Sequence, residues 1–218
     1  MMVIKILIAD DHKIMREGLR SMLNQEPDFE VIGEAENGRE ALEIIEKTFP
    51  NVVIMDINMP DMNGTEATRQ IHSKYPDSKV IALSMHSDRF YVSEMLKAGA
   101  SGYLLKDCSK NDIIKAVRLV AKNKSYLSPE ITGIIIEDYV QNNQPEKSAE
   151  SIVLTKKERE ILQLLTEGKT SKEIAAQLNI AKKTVETHRV NIMNKLDIRS
   201  VAELTKYAIR HGITCLDS

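Results

Sequence analysis

The sequence lacks the features that mark disulfide-rich, zinc-binding and membrane-spanning proteins. Its two cysteines, Cys108 and Cys215, are too few and too far apart for a disulfide framework or a zinc site, and we expect both to be reduced thiols. No apolar run approaches the roughly 18 residues that a membrane span needs. The N-terminal stretch lacks the charged region and cleavage site of a signal peptide, and we find no internal repeat or low-complexity segment. These absences favour a cytoplasmic globular protein.

Length, composition and charge distribution indicate two domains with different partners. The chain has 218 residues, of which 42% are hydrophobic and 28% are charged, the profile of a soluble protein with two domains of ordinary size. Its net charge of −2 hides an asymmetry, since residues 151–218 carry 12 basic and 8 acidic side chains, whereas residues 1–150 carry 18 and 24. The basic C-terminal part favours a polyanionic partner.

The first 121 residues alternate short apolar runs with amphipathic stretches. The apolar runs are aliphatic or β-branched at nearly every position, as expected for strands buried on both faces; they are Ile4–Ala9, Val31–Glu34, Val52–Met55, Val80–Ser84 and Gly102–Leu105. The helices predicted between them are Ile14–Leu23, Arg39–Lys47, Thr65–Lys74, Arg89–Ala98 and Asn111–Ala121. Five such pairs predict an α/β fold with a doubly wound five-stranded parallel sheet, whose site lies beyond the C-terminal ends of the strands.

Beyond residue 122 the alternation stops. Ser128 and Pro129 can begin a short helix over Ile131–Tyr139, and the polar stretch Gln141–Glu150 is typical of a linker. From Leu154 the pattern predicts a small all-α domain, with helices from a capping box at Thr155 and Glu158 to Glu167, and then at Ser171–Leu178, Thr184–Leu196 and Ser200–His211. We therefore predict domains at residues 1–122 and 151–218, joined by a linker with a short helix over residues 123–150.

Residues able to carry chemistry stand at the ends of the predicted strands. Asp10 and Asp11 end the first strand, Asp56 the third and Ser84 the fourth, and Lys106 follows the fifth. In a doubly wound sheet these ends meet at one edge, where three carboxylates repel one another unless a cation lies among them. Mg²⁺ prefers such oxygen ligands. Asp56 can then act as a nucleophile that forms an acyl phosphate, while the cation and Lys106 neutralise the phosphoryl oxygens.

The order Asp-Asp, Asp, Ser, Lys at these strand ends resembles the receiver domain of two-component response regulators, which has a flavodoxin-like strand order. The resemblance covers residues 3–121 and implies that Asp56 accepts a phosphoryl group from a sensor histidine kinase. The other roles that it implies are Mg²⁺ binding by Asp10, Asp11, Asp56 and the backbone carbonyl of Asn58, phosphoryl binding by Ser84 and Lys106, and a switch in which Tyr103 turns inward on activation.

Two histidines and one loop near this site carry further expectations. His86, two residues after Ser84, is expected at the rim of the site, and His12 is expected to face solvent. Many receiver domains have proline after the active-site lysine, often with a cis peptide, whereas Asp107 follows Lys106 here. Because a cis bond without proline costs about 3 kcal/mol, we predict a trans bond.

The basic C-terminal part resembles the LuxR-type helix-turn-helix domain over nearly all of residues 151–214. The matching stretches are Leu154–Glu160, Gly168–Ala175 and Thr184–His188, and together with the receiver they make the chain similar to the NarL/FixJ family of response regulators. The third helix is expected to enter the major groove of DNA. The predicted DNA contacts are Lys182, Lys183, Thr184, Glu186, Thr187, Arg189, Val190, Asn191 and Lys195. Glu186 can accept a hydrogen bond from cytosine N4 or orient Arg189.

The resemblance also predicts how the protein assembles. The fourth helix carries an apolar stripe of Val201, Leu204, Tyr207 and Ala208, and the family uses this helix to form dimers that match palindromic DNA with half-sites about one turn apart. The implied partners are a sensor histidine kinase, promoter DNA and a second copy of the chain, with RNA polymerase as a further candidate. The receiver is expected to catalyse only its own phosphotransfer and dephosphorylation.

Two other functions stay open on the sequence alone. A Mg²⁺-dependent phosphatase that forms an aspartyl phosphate also fits an acidic site, but it needs an acid–base Asp two residues after Asp56, where Asn58 stands. A constitutive regulator that ignores phosphorylation is the other alternative, although such a protein need not keep an intact five-residue site.

Overall fold

A computed structural model describes residues 3–85, 87–142, 154–196 and 198–214. His86, Cys215 and residues 143–153, which hold most of the stretch predicted as a linker, lie outside the described residues. The chain divides into two compact units, Met1–Gln144 and Pro145–Ser218. The predicted domain boundaries stay predictions. None of the helices in the described ranges is long and apolar enough to cross a membrane.

The first unit contains a parallel six-stranded sheet with the strand order β2-β1-β3-β4-β5-β6. The strands are β1 Ile4–Ala9, β2 Phe29–Ala35, β3 Val52–Asp56, β4 Lys79–Ser84, β5 Gly102–Leu105 and β6 Tyr126–Leu127. The five predicted strands and their flavodoxin-like order are confirmed. The sixth was not predicted, because a strand of two residues is too short to show a period.

The strand side chains alternate between two hydrophobic clusters, one on each face of the sheet. Leu7, Val53 and Met55 belong to one cluster, whereas Ile6, Ile8, Val52 and Ile54 belong to the other. These residues are at most 2% exposed. Because the central strands are buried on both faces, their charged side chains occur near the strand termini, and Asp56 is the one at a C-terminal end, where the predicted site lies.

Five helices follow the first five strands and cover the sheet. They are α1 Lys13–Leu23, α2 Gly38–Thr48, α3 Gly64–Lys74, α4 Arg89–Lys97 and α5 Lys110–Val120, and each agrees with its predicted bounds to within one residue. Asn37, Asn63 and Ser109 cap α2, α3 and α5, since each side chain accepts a hydrogen bond from a backbone N–H in the first turn.

Strand β6 and helix α6 (Pro129–Asn142) belong to the first unit. Strand β6 pairs with β5, and α6 packs against α4. Ser128 precedes α6 as predicted, and its carbonyl accepts a hydrogen bond from Thr132. Its buried hydroxyl has no hydrogen-bond partner, however, so the predicted side-chain cap is wrong. The fixed φ of Pro129, which suits the first turn of a helix, is the remaining local signal for the start of α6.

The second unit is a small all-helical domain. Its helices are α7 Lys156–Thr166, α8 Ser171–Gln177, α9 Lys182–Leu196 and α10 Val201–Arg210. The predicted capping box at Thr155 is present, and Thr170 forms a second one with Glu173. Gly168, at φ 84°, follows α7. Fully buried residues from all four helices form its core, including Ile161, Ile174, Val185, Ile192 and Leu204.

Candidate functional site

Three charged side chains from separate strand ends meet beyond the C-terminal edge of the sheet. Asp10 follows β1, Asp56 ends β3 and Lys106 follows β5. Lys106 Nζ lies 2.8 Å from Asp10 Oδ2 and 2.8 Å from Asp56 Oδ2. The backbone N–H of Lys106 donates to the Ser84 carbonyl at 2.8 Å, so that the chain after β5 stays beside β4 and the lysine reaches across it. The described residues contain no cis peptide bond, and the predicted trans bond after Lys106 is confirmed.

Burial sets the electrostatics of these groups. The side chains of Asp10, Asp56 and Lys106 are 2%, 6% and 6% exposed. Burial raises the pKa of Asp56 to about 6; Lys106 opposes this rise and Asp10 adds to it. Burial also acts to lower the pKa of Lys106, but the attraction of Asp56 and Asp10 outweighs it, and that pKa is raised. One ammonium group therefore stands between two buried carboxylates.

Asp11 joins Asp10 and Asp56 in what we call the acidic cluster. Ligand atoms of these three residues and of His12 all lie within 4.8 Å of one another. His12 is 71% exposed, as expected, and its Nδ1 lies 2.8 Å from Asp11 Oδ1. Lys106 Nζ, 2.8 Å from the buried Asp10 Oδ2, supplies one positive charge against the three carboxylates of the cluster. Hard oxygen donors and excess negative charge together fit Mg²⁺.

The remaining residues predicted for this site lie at the same edge of the sheet. Asn58 is half-buried in the loop that follows β3. Ser84 is 1% exposed and Tyr103 is fully buried; the two side chains share a hydrogen bond, and burial is the main reason that the pKa of Tyr103 rises to about 12. Tyr103 therefore lies in the inward position in this structure. Its switch role, and the roles of Ser84 and Asn58, stay predictions.

A close backbone approach holds the loop after Asp56 against α3. The N–H of Gly64 donates to the Ile57 carbonyl at 2.8 Å, and Asp56 Oδ1 accepts a 2.7 Å hydrogen bond from the Ile57 N–H. A Cβ at Gly64 would lie 1.8 Å from the Asp56 carbonyl oxygen, so the position accepts only glycine. Sequence reasoning missed this constraint, because an Asn-Gly pair is common in turns of every kind.

Sequence reasoning also missed Arg16 on α1. Its side chain is 6% exposed, and Nη1 donates to the Asp10 carbonyl oxygen at 2.7 Å. Its Nη2 donates to Glu36. Periodicity placed Arg16 within a helix, but it carries no information about a guanidinium group that turns toward the end of a neighbouring strand.

The exposed face of α9 carries the residues predicted to contact DNA. Val185, Ile192 and Leu196 face the core of the second unit. The exposed residues of the predicted set are Lys182, Lys183, Thr184, Glu186, Thr187, Val190, Asn191 and Lys195, whereas Arg189 is half-buried. The helix begins at Lys182, two residues earlier than predicted. It presents a polar and basic surface of the kind that enters a DNA groove.

Two lysines of this surface have ion-pair partners within the second unit. Lys195 Nζ lies 2.7 Å from Glu158 Oε2, and the Glu158 side chain is only 5% exposed. Burial acts to raise the pKa of Glu158, but Lys195 and the capping box outweigh it and the pKa is lowered. Lys182 Nζ lies 3.4 Å from Glu186 Oε1. The structure thus pairs Glu186 with Lys182 and ties Lys195 to α7.

Half of the apolar stripe predicted on α10 belongs to the core. Leu204 and Ala208 are fully buried, whereas Val201 is 39% exposed. Tyr207 is half-buried and stacks on His211, with ring centroids 4.0 Å apart. The apolar surface that α10 offers to a partner is therefore narrower than the sequence indicated, and Val201 is the member of the stripe that is exposed.

Comparisons with known proteins identify both units. The family model for the response regulator receiver domain matches residues 6–118, and the model for bacterial regulatory proteins of the luxR family matches residues 152–208. The chain is 40% identical to the transcriptional regulatory protein DegU of Brevibacillus brevis over 96% of its own length and 94% of that protein. The chain therefore belongs to the NarL/FixJ family of two-component response regulators, which are transcriptional regulators with a receiver domain and a LuxR-type DNA-binding domain.

Solved structures agree with this assignment. A structure of RcsB from Salmonella typhimurium, described for its conformational dynamism in DNA interaction, has a TM-score of 0.60 and 27% identity, and covers 95% of this chain and 98% of that one. An RcsB–DNA complex has a TM-score of 0.58 and 27% identity, with 94% and 97% covered. Because the family consists of DNA-binding regulators and not of classical enzymes, the phosphatase alternative is wrong.

Proposed function

We propose that Asp56 accepts a phosphoryl group from a sensor histidine kinase and that this modification controls DNA binding by α9. The main observation that supports this proposal is the position of Asp56, which is buried beside Lys106 and within the acidic cluster. Burial alone does not explain this arrangement, because Lys106 supplies one positive charge against three clustered carboxylates, and the excess negative charge destabilises the folded chain unless a further cation binds. The same residues would also catalyse loss of the phosphoryl group from Asp56.

The proposed phosphotransfer follows from the positions of the side chains. A carboxylate oxygen of Asp56 attacks phosphorus; the P–N bond of the phosphohistidine breaks with its electron pair going to the imidazole, and a P–O bond forms. Lys106 is placed to pair with the transferred phosphoryl oxygens. Asp10, Asp11, Asp56 and the carbonyl of Asn58 would hold Mg²⁺, which when bound supplies charge neutralisation to those oxygens.

The proposed signal leaves the site through Ser84 and Tyr103. The Ser84 hydroxyl is hydrogen-bonded to Tyr103, so recruitment of Ser84 to a phosphoryl group on Asp56 requires that bond to break. Because Tyr103 is already buried, the proposed change is the loss of its hydrogen bond to Ser84 and not an inward turn. Tyr103 lies on β5 opposite Leu127 of β6, so this change acts on the strand pair that leads into α6. We treat activation as a shift between two populations of this element.

The proposed DNA contacts lie on the exposed face of α9. Lys182 and Lys183 are suited to phosphates, whereas Thr187 and Asn191 can contact base edges or phosphates, and Glu186 can accept from cytosine N4. The solved structure of two RcsB dimers bound to two parallel DNAs supports a dimeric, DNA-bound form for this chain. A regulator of this kind works in the cytoplasm, where promoter DNA is accessible.

The test is DNA affinity before and after treatment with acetyl phosphate and Mg²⁺. Genomic fragments selected with the treated protein serve as the ligand, and a phosphate-sensitive gel reports modification in parallel. We expect the wild type to gain at least about tenfold in affinity, a free-energy change of about 1.4 kcal/mol, and Asp56→Asn to gain nothing.

Asp107→Asn is the matched control, because Asp107 is an exposed carboxylate beside Lys106 and outside the acidic cluster. It should be modified and should gain affinity like the wild type. If Asp56→Asn still responds to the phosphodonor, Asp56 is not the switch. If the wild type is modified at Asp56 without any change in DNA affinity, the protein is a constitutive DNA binder.

A further inference from the structure

The peptide that joins Asp10 to Asp11 is fixed by a side chain from outside the acidic cluster. Its carbonyl oxygen accepts a 2.7 Å hydrogen bond from Arg16 Nη1. The preceding peptide is fixed as well, since the Asp10 N–H donates to the Ala35 carbonyl at 3.1 Å. A peptide unit is planar, so the direction of this carbonyl sets the angle at which the Asp11 carboxylate leaves the chain relative to that of Asp10.

The charge of Arg16 is already balanced on its other side. Its Nη2 donates to Glu36, and its Nε lies 3.6 Å from Glu34 Oε2. Both carboxylates come from the end of β2 or the residue after it, and β2 pairs with β1 in the register Ile8 to Glu34. With two carboxylates beside it, Arg16 adds little net attraction for the acidic cluster. Its effect on Asp10 and Asp11 is therefore one of orientation.

We propose that Arg16 is a positioning residue for the Mg²⁺ site, which holds the Asp10–Asp11 peptide so that both carboxylates face the metal. The proposal rests on the proposed function, because it assumes that these two residues bind Mg²⁺. A guanidinium group suits this task because its planar fork reaches the Asp10 carbonyl and Glu36 at once, whereas a lysine offers one point charge. Outer partners that orient metal ligands typically change metal affinity by about 10- to 100-fold.

The test is the Mg²⁺ dissociation constant of the full-length protein, measured by isothermal titration calorimetry at neutral pH. We expect Arg16→Gln to weaken Mg²⁺ binding by at least about tenfold and Arg16→Lys to restore part of the loss. At saturating Mg²⁺, the rate of phosphorylation by acetyl phosphate should stay within about threefold of the wild type. Glu36→Gln, which removes one anchor of the guanidinium, should weaken Mg²⁺ binding by a smaller factor.

Arg20→Gln is the matched control. Arg20 lies one turn along α1 and pairs with the same Glu34 at 2.7 Å, but its side chain is 55% exposed and it has no bond to Asp10. It should leave the Mg²⁺ dissociation constant unchanged. Urea unfolding without Mg²⁺ separates stability from metal affinity, and Arg16→Lys and Glu36→Gln carry the test if Arg16→Gln does not fold.

The outcomes separate this proposal from the function on which it rests. Folded Arg16 variants with the wild-type dissociation constant, or an Arg20→Gln variant that loses as much affinity, overturn the role of Arg16 alone. A wild-type protein that binds no Mg²⁺ overturns both proposals. Weakened Mg²⁺ binding in the Arg16 variants, with an unaltered Arg20→Gln variant, supports the positioning role.

Discussion

The carboxyl group of Asp56 should make the stability of the first unit depend on pH. Burial raises its pKa to about 6, above the value of about 3.9 in an unfolded chain. Folding thus favours the neutral form of the Asp56 carboxyl. Its contribution to the free energy of unfolding is fully present below about pH 4 and is lost as the pH rises through about 6. Without Mg²⁺ at about pH 8, we expect Asp56→Asn to be more stable than the wild type by roughly 1–3 kcal/mol.

Urea unfolding followed by tyrosine fluorescence measures this difference, because five of the six tyrosines lie in residues 1–142. The difference in free energy of unfolding between Asp56→Asn and the wild type should disappear near pH 4, about where the carboxyl of the unfolded chain titrates. Asp28→Asn provides a control of opposite sign, since a hydrogen bond from Arg118 lowers the pKa of Asp28. It should be less stable than the wild type at neutral pH. An Asp56→Asn variant no more stable than the wild type at about pH 8 would contradict the prediction.

Gly64 should tolerate no side chain. Because an added Cβ would lie 1.8 Å from the Asp56 carbonyl oxygen, Gly64→Ala must displace either α3 or the Asp56 backbone. We expect a loss of at least about 2 kcal/mol in stability together with loss of phosphorylation, measured by urea unfolding and a phosphate-sensitive gel. Gly133→Ala on α6, where nothing lies within 4 Å of the added Cβ, should instead stabilise by about 0.5–1 kcal/mol. Similar effects at the two positions would argue against the steric explanation.

At the level of elements, a helix or strand could be predicted when the interactions that form it lie between residues close in sequence. Strands β1 and β3 and the helices around them were predictable, since burial imposes a period on consecutive residues. The acidic cluster was predictable because strand ends meet at one edge of a parallel sheet. Contacts set by distant chain segments left no local pattern. Examples are the pairing of β6 with β5, the bond from Arg16 to Asp10, and the salt bridge from Lys195 to Glu158.

The ion pair between Lys195 and Glu158 should stabilise the packing of α9 on α7 rather than bind a phosphate. Removal of Lys195 leaves the nearly buried Glu158 without its cation, so Lys195→Met should lower stability by roughly 1–2 kcal/mol. The slope of log affinity for DNA against log salt concentration should not change. Lys183→Met, at an exposed position, should leave stability unchanged and reduce that slope by about 0.9, the amount expected for one lost phosphate contact.

Fluorescence anisotropy over a series of salt concentrations separates the two roles. The DNA is the same selected fragment for each variant, and urea unfolding is recorded in parallel. A reduced slope for Lys195→Met at full stability would return Lys195 to the set of phosphate contacts that the sequence predicted. The recognition surface would then extend beyond Asn191 into the last turn of α9.

Over the whole molecule, the proposed phosphoryl site and the proposed DNA contacts lie on separate compact units. The first unit supplies a partly buried acidic cluster, whereas the second supplies a helix with an exposed basic face. In the proposed function, phosphorylation of the first unit has to change how the second unit binds DNA, and dimer formation is one such change. The surface of α10 that the core leaves uncovered is the place where that change can be tested.

Val201 should contribute to dimer formation without contributing to the fold. It is 39% exposed at the start of α10, whereas Leu204, one turn further, is fully buried. We expect Val201→Glu to keep wild-type stability and affinity for a single half-site, but to lose at least about tenfold in affinity for two half-sites spaced one DNA turn apart. Leu204→Ala should instead unfold the second unit more easily, by about 2–5 kcal/mol. Gel shifts on DNA with one and two half-sites, with thermal melts of each variant, make the comparison. Wild-type cooperativity in Val201→Glu would exclude this face of α10 from the dimer.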